Sequence, residues 1–225
     1  KVGFPMTDAV SYQSIELINE FFKPALKTKI EPFRKIYLSR RQISGEPAYI
    51  VQLKDNVEFS NYQSELKHLL EDTTRLDTIA NLILNIKESG NTLILVDRVN
   101  AGKQLVSRLP DSVFVSGDTN LTERKEQYDE VATATNKVIV ATYGVAAVGI
   151  NIPRIFNLVL LEPGKSFVRV IQSIGRGIRK AEDKDFVQIW DLTSSCKFAK
   201  RHLTQRKTFY KEANYPFSVQ KIDYK

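Results

Sequence analysis

Gln172-Ser173-Ile174-Gly175-Arg176-Gly177-Ile178-Arg179-Lys180 carries the densest chemistry in the chain. Arginine forks match phosphate oxygens, and their charge persists at any working pH. Arg176 and Arg179 lie three apart, so helical spacing places them on one side. Gly175 and Gly177 each cost up to about 1 kcal/mol against alanine inside a helix, so a close approach or a helix end must require them. The alternative is a helix terminus that carries surface arginines.

A second segment runs from Thr142 through Gly144, Gly149 and Asn151 to Pro153. Its small residues admit a second backbone or a phosphate chain, and they equally suit a tight packing loop. Thr142 sits at a strand tip, where its hydroxyl can reach a phosphate. Two shorter polar segments follow other apolar runs: Asp97-Arg98-Val99-Asn100-Ala101-Gly102-Lys103 and Val115-Ser116-Gly117-Asp118. Gly164-Lys165-Ser166 resembles the end of a phosphate-binding P-loop, but Val159 stands where the motif needs glycine. Gly102-Lys103 fails likewise, with Asp97 at the glycine position and Gln104 after the lysine. The 225 residues therefore hold no P-loop. Asp129-Glu130 falls in a helical pattern and is a poor magnesium-binding pair.

The elements that must position these residues alternate regularly. Leu76, Ile79, Ala80, Ile83 and Ile86 recur at steps of three and four, which predicts a helix over 62–87 closed by Gly90-Asn91. Strands are read at 92–96, 113–115, 137–142, 155–161 and 186–190, and helices at 99–109, 120–134, 166–175 and 195–212. Asn120 and Glu123 have the spacing of a capping box. Strands alternating with helices imply a parallel α/β sheet, whose ligands bind at the carboxyl ends of the strands. The first 60 residues are less regular, with a short helix at 11–22 and strands at 35–38 and 49–53.

The chain has 33 basic and 26 acidic side chains, a net charge of +7. Twelve basic and six acidic residues fall between Glu162 and Glu212, so nearly all the excess lies in the last third of the chain. A polyanionic partner, nucleic acid first, or a solvated face accounts for it. No apolar run approaches the roughly 18 residues of a membrane span. One cysteine, Cys196, excludes a disulfide framework and a multi-cysteine zinc site, and the cytosol is the default compartment. The chain starts at Lys1 without an initiator methionine and reads as a fragment or a processed product.

The T-x-G segment ending Gly149-Ile150-Asn151-Ile152-Pro153, followed by Gln172-x-x-Gly175-Arg176-x-x-Arg179, resembles motifs V and VI of superfamily 2 helicases. Leu93 to Gly102 is similar to motif IV, and Phe114 to Asp118 with Glu123-Arg124 to the stretch between IV and V. Glu20-Phe21-Phe22-Lys23-Pro24, Ala141 to Val145 and Trp190-Asp191-Leu192 resemble the phage repair helicases of the UvsW type.

The resemblance covers about residues 62–195. It implies a second, C-terminal RecA-like domain: a parallel sheet flanked by helices, with a less regular N-terminal extension and a basic C-terminal helix. It divides the chain into an extension at 1–60, the RecA-like domain at 61–195 and a basic helix and tail at 196–225. It implies an ATP-dependent helicase acting on single-stranded or branched DNA in repair, recombination or replication; the alternatives are a non-catalytic RecA-like nucleic-acid-binding module and an unrelated α/β nucleotide-diphosphate enzyme. It also implies a partner RecA-like domain of the same protein holding the P-loop and most contacts to ATP and Mg2+. The chain alone is then expected to be inactive, and free of membranes in the cytoplasm (the host's, if phage-encoded).

The implied roles follow the motifs. Arg176 and Arg179 reach the γ-phosphate as arginine fingers, with Gln172 beside it or the attacking water. Gly149 and Asn151 face the nucleotide, although Asn151 stands where many relatives have aspartate. Thr142, Arg98, Ser116 and Gly117 contact the sugar-phosphate backbone. The basic stretch Lys197 to Lys211, with Phe198, Phe209 and Tyr210 interleaved, either adds affinity for nucleic acid or packs those aromatics on the core.

Overall fold

The computed structural model describes residues 48–149, 154–164, 187–212 and 216–224. The predicted helices at 11–22 and 166–175 and the strand at 35–38 lie outside them. Seven strands form one sheet: β1 (Ala48–Leu53), β2 (Thr92–Val96), β3 (Ser112–Val115), β4 (Val138–Thr142), β5 (Asn157–Leu161), β6 (Gln188–Ser194) and β7 (Phe217–Ile222). Their order is β3-β4-β2-β5-β6-β1-β7, and every neighbouring pair is parallel. β2 and β5 are buried along their whole length, as expected for apolar runs covered on both faces.

Helices α1 (Tyr62–Glu71), α2 (Thr73–Ile86) and α3 (Val99–Val106) cover one face. Leu66, Leu70, Leu76, Ile79, Ile83 and Leu105 pack there on Val51, Ile94, Val140, Val159 and Leu192. Helices α4 (Leu121–Thr133), α5 (Tyr143–Gly149) and α6 (Lys197–Glu212) belong to the other. Val131, Tyr143, Leu203, Phe209 and Tyr210 pack there on Ile50, Leu95, Ile139, Leu158 and Ile189.

Four local readings change. The helix expected over 62–87 is two helices, because Asp72 is extended and its carboxylate caps α2 by accepting from Arg75 N at 2.8 Å. The expected small-residue loop after Thr142 begins as helix α5. The strand read at 186–190 runs from 188 to 194; Asp191, Thr193 and Ser194 hide its second half in the sequence but are buried and hydrogen-bonded. Finally, β7 had no counterpart in the sequence reading. β1 lies between β6 and β7, so the sheet extends beyond 61–195 at both ends.

The turn into β2 is fixed by Gly90 and Asn91. Gly90 has φ +139°, and a Cβ there would lie 2.7 Å from the Phe156 side chain. Buried Asn91 donates to the carbonyls of Val131 and Ala134 and accepts from Lys137 N, tying β2 to the turn before β4. Gly90→Ala is expected to lose about 1–3 kcal/mol by combining strain with the clash. Chemical denaturation checks it; wild-type stability would show that the turn relaxes freely.

Candidate nucleic-acid and phosphate interface

Three expected backbone-contact positions fall together at the carboxyl ends of β3, β4 and β2, which are neighbours. Val115 pairs with Ala141, and Val96 with Thr142. Ser116, one residue beyond Val115, is therefore level with Thr142, and Arg98 follows Val96 by two residues. At about 4.8 Å between strands, the three strand ends span roughly 10 Å.

Each position is held by its own local chemistry. The Thr142 hydroxyl oxygen accepts from Val145 N at 3.4 Å at the start of α5, and its O–H can still donate outward. The Ser116–Asn120 turn is clamped by Arg124, whose guanidinium donates to the carbonyls of Ser116 (3.0 Å) and Thr119 (2.9 Å). Ser116 N donates to the Thr119 hydroxyl at 3.0 Å. Asn120 caps α4 by accepting from Glu123 N at 2.8 Å, half of the expected capping box. Gly117 faces open space, with nothing within 4 Å of the place a Cβ would take. Arg98 precedes α3 and donates to the neutral Gln63 amide oxygen at 2.8 Å, a bond that leaves its positive charge intact. Gly102, on α3, lies so close to Phe114 that its bare Cα seats the helix on the sheet.

Gly149 is the last residue of α5. Asn151, Gln172, Arg176 and Arg179 lie outside the described residues. The segment 165–186 that carries the three motif VI residues leaves from the end of β5 and returns at Val187, just before β6. Among the described residues no group of three or more His, Cys, Asp or Glu side chains could hold a metal ion.

The departure point from β5 is built on buried charge that the sequence reading missed. Arg75 of α2 is fully buried. It pairs with Asp55 at 3.3 Å, closely with Glu162, and donates to Leu69 O at 2.6 Å. Asp55 also accepts from Ser194 (2.6 Å) and the Tyr224 hydroxyl, and Glu162 from Thr193 (3.3 Å). To meet Arg75, Glu162 adopts a left-handed backbone with φ +44°. A second buried pair stands beside it. Arg206 binds both oxygens of Asp191 at 2.8 Å and donates to Gly164 O at 2.8 Å, while Tyr210 donates to Asp191 at 3.0 Å. The signal available in the sequence was Arg75 itself, four residues before Ile79 on the apolar stripe of α2.

Burial pushes the Glu162 carboxyl up to about 7, against the attraction of Arg75 and Arg206. Arg75 faces Asp55 and Glu162, and Arg206 faces Asp191. Burial also dominates in raising the Tyr224 hydroxyl, reinforced by its bond to Asp55.

Residues 74–181 match the helicase conserved C-terminal domain. The chain is 27% identical over 194 residues to the ATP-dependent DNA helicase uvsW of Enterobacteria phage T4, across 81% of this chain and 37% of that protein. It is 31% identical over 145 residues to putative helicase 22 of a Sulfolobus islandicus filamentous virus, across 62% of this chain and 25% of that protein. The chain thus spans well under half the length of the curated relatives it matches. The crystal structure of T4 UvsW superposes with a TM-score of 0.69 at 22% identity, covering 79% of this chain and 41% of that one. The expected RecA-like parallel sheet flanked by helices is therefore the fold.

Two outcomes test the buried cluster. Arg75→Ala strands two carboxylates and is expected to lose about 3–5 kcal/mol in denaturant unfolding at neutral pH. Glu162 is raised from 4.5 to about 7, so the folded state binds more protons in that window. Its contribution is complete below pH 4.5 and is lost as pH rises through 7. Glu162→Gln should flatten the stability–pH curve between pH 5 and 8 by on the order of 2–3 kcal/mol. An unchanged curve would place the titration elsewhere.

Proposed function

We propose that this chain, whose residues 74–181 are a helicase conserved C-terminal domain, is the second motor half of an ATP-dependent DNA helicase or translocase. Its substrate in this reading is single-stranded or branched DNA in repair, recombination or replication. The observation that carries the reading is the row of Ser116, Thr142 and Arg98 at the neighbouring carboxyl ends of β3, β4 and β2. That row offers hydroxyls, backbone amides and a cation to one sugar-phosphate strand, contacts that position without reading sequence. Open space above Gly117 lets the strand approach the backbone.

The same sheet edge carries the departure point of the motif VI segment, which links the two halves of the mechanism. The 225 residues contain no P-loop, so the nucleotide is held mainly by a second RecA-like domain, with Mg2+ beside its phosphates. Gly149 and Asn151 face that nucleotide. Arg176 and Arg179 meet its γ-phosphate across the cleft, and Gln172 stands by the attacking water. Closure joins the arginines to the anion; hydrolysis divides it, and the cleft opens. Thr142 ends β4 immediately before α5, and Gly149 ends α5, so movement at the nucleotide is passed along one short helix to the strand contact. Repeated cycles move the protein along DNA.

Arg179→Ala tests this in the polypeptide or complex that includes the P-loop half. A finger in trans contributes about 10³–10⁵ in rate; beside a second arginine, a loss of at least roughly 10²-fold in kcat is expected. DNA affinity without nucleotide should stay near wild type. Thr142→Ala should show the reverse balance, with weaker DNA-stimulated turnover and near-normal basal hydrolysis. Lost DNA affinity with normal turnover at saturating DNA in Arg179→Ala would make Arg179 a backbone contact and overturn the finger assignment.

A further inference from the structure

The carboxyl edge of the sheet has a second half, beyond β5, that the row above does not use. There the ends of β6, β1 and β7 bound an open groove of about 1080 Å³. Backbone bonds hold its floor in register: Lys54 N donates to Ile222 O and Ser195 N to Leu53 O, both at 2.8 Å. Lys54, Lys197, Lys200 and Lys221 line it and are exposed. Asp55 also lines the groove, but its carboxylate is fully buried and committed to Arg75, Ser194 and Tyr224. Of the other acids, Asp223 pairs with Lys54 at 2.7 Å on the surface, and Glu58 is exposed. Four lysines against two exposed acids leave the groove cationic.

The helix that supplies two of these lysines is fixed independently of any ligand. Glu65 of α1 is buried and accepts from Phe198 N (3.0 Å) and Ala199 N (2.7 Å), closing the amino end of α6. Phe209 and Tyr210 are buried on the core side of α6, whereas Phe198 is half-buried at its amino end. Lys197, Lys200, Arg201 and Lys211 remain on its exposed side.

We infer that this groove is a second nucleic-acid contact, taking the sugar-phosphate backbone of the strand that crosses the Ser116–Thr142–Arg98 row. The inference rests on the nucleic-acid reading above and adds a site to it. Continuity favours nucleic acid over an acidic protein surface. Both sites lie on the same edge of one sheet, and β1 stands four strands from β4, about 19 Å at 4.8 Å per strand. A flexible polyanion with evenly repeated charge can occupy both at once. At roughly 3.4 Å per stacked nucleotide, the row takes about three nucleotides and the two sites together about eight or more.

The test compares oligothymidylates of six and fifteen nucleotides on wild type and on Lys197→Glu/Lys200→Glu, by fluorescence anisotropy over a salt series. Both positions are exposed, and thermal unfolding verifies that the variant is folded; Lys221→Glu from β7 serves as an independent second variant. The wild type should bind the longer strand at least 10-fold more tightly. The double variant should lose most of that gain, change little for the six-nucleotide strand, and lower the magnitude of the log–log salt slope by about 1.4, at 0.7 per contact. An undiminished gain with length in the variants would overturn the groove assignment while leaving the row intact. Equal displacement of the long strand by polyglutamate of matched charge would also overturn it. Absence of binding to either length by wild type would instead overturn the nucleic-acid reading, and the groove with it.

Discussion

A guanidinium cannot lose its proton inside a protein, so burying Arg75 forces the rest of the cluster. The charge needs carboxylates, and they arrive from two strand ends: Asp55 after β1 and Glu162 after β5. Ser194 of β6 and Tyr224 after β7 fill further acceptor positions on Asp55. One α2 side chain thereby joins the carboxyl ends of β5, β6, β1 and β7 at the point where the motif VI segment leaves the sheet. Removing one partner of such a cluster costs several kcal/mol, whereas an apolar replacement of the whole would often be neutral. Its contribution is therefore best understood as geometry: it fixes Glu162 in a left-handed backbone and, through Arg206, the Gly164 carbonyl two residues on.

The sheet edge divides into two regimes. At β3, β4 and β2 the backbone is held by light, local bonds, and polar groups remain free to meet a ligand: the Thr142 O–H, the surface above Gly117 and the Arg98 charge. At β5, β6 and β1 the buried charged groups are committed to one another, beneath the exposed lysines of the groove. For the proposed motor, the buried charge cluster gives the segment after Gly164 a fixed starting point, and the open half can change its grip on a strand without disturbing the core.

Local pattern made the sheet legible. The apolar run at 92–96, the 3.6-residue stripe on α2 and the capping spacing of Asn120 and Glu123 each report a neighbour a few residues away. The ordered motifs carried the helicase resemblance, and Arg98, Ser116 and Thr142 fall at neighbouring strand ends. What escaped depends on distant partners. Arg75 and Glu162 are 87 residues apart and meet only in the fold. The second half of β6 looks polar because Asp191, Thr193 and Ser194 are satisfied by side chains elsewhere in the sequence. β7 is largely exposed, so it lacks the apolar run that marks a central strand. The sequence left two readings open for the basic stretch of α6; the fold sets Phe209 and Tyr210 inward and Lys197, Lys200 and Lys211 outward.

In the proposed function one edge of this sheet serves both phosphate chemistries, a nucleic-acid backbone at the strand-end row and a nucleotide γ-phosphate at Arg176 and Arg179. A crystal structure with the P-loop half, a non-hydrolysable ATP analogue and single-stranded DNA measures it directly. Arg176 and Arg179 guanidinium nitrogens are expected within about 3 Å of γ-phosphate oxygens. The Thr142 hydroxyl and the Ser116–Gly117 backbone are expected on consecutive DNA phosphates. Arginines on the DNA, or a strand bound away from the ends of β3, β4 and β2, would contradict it.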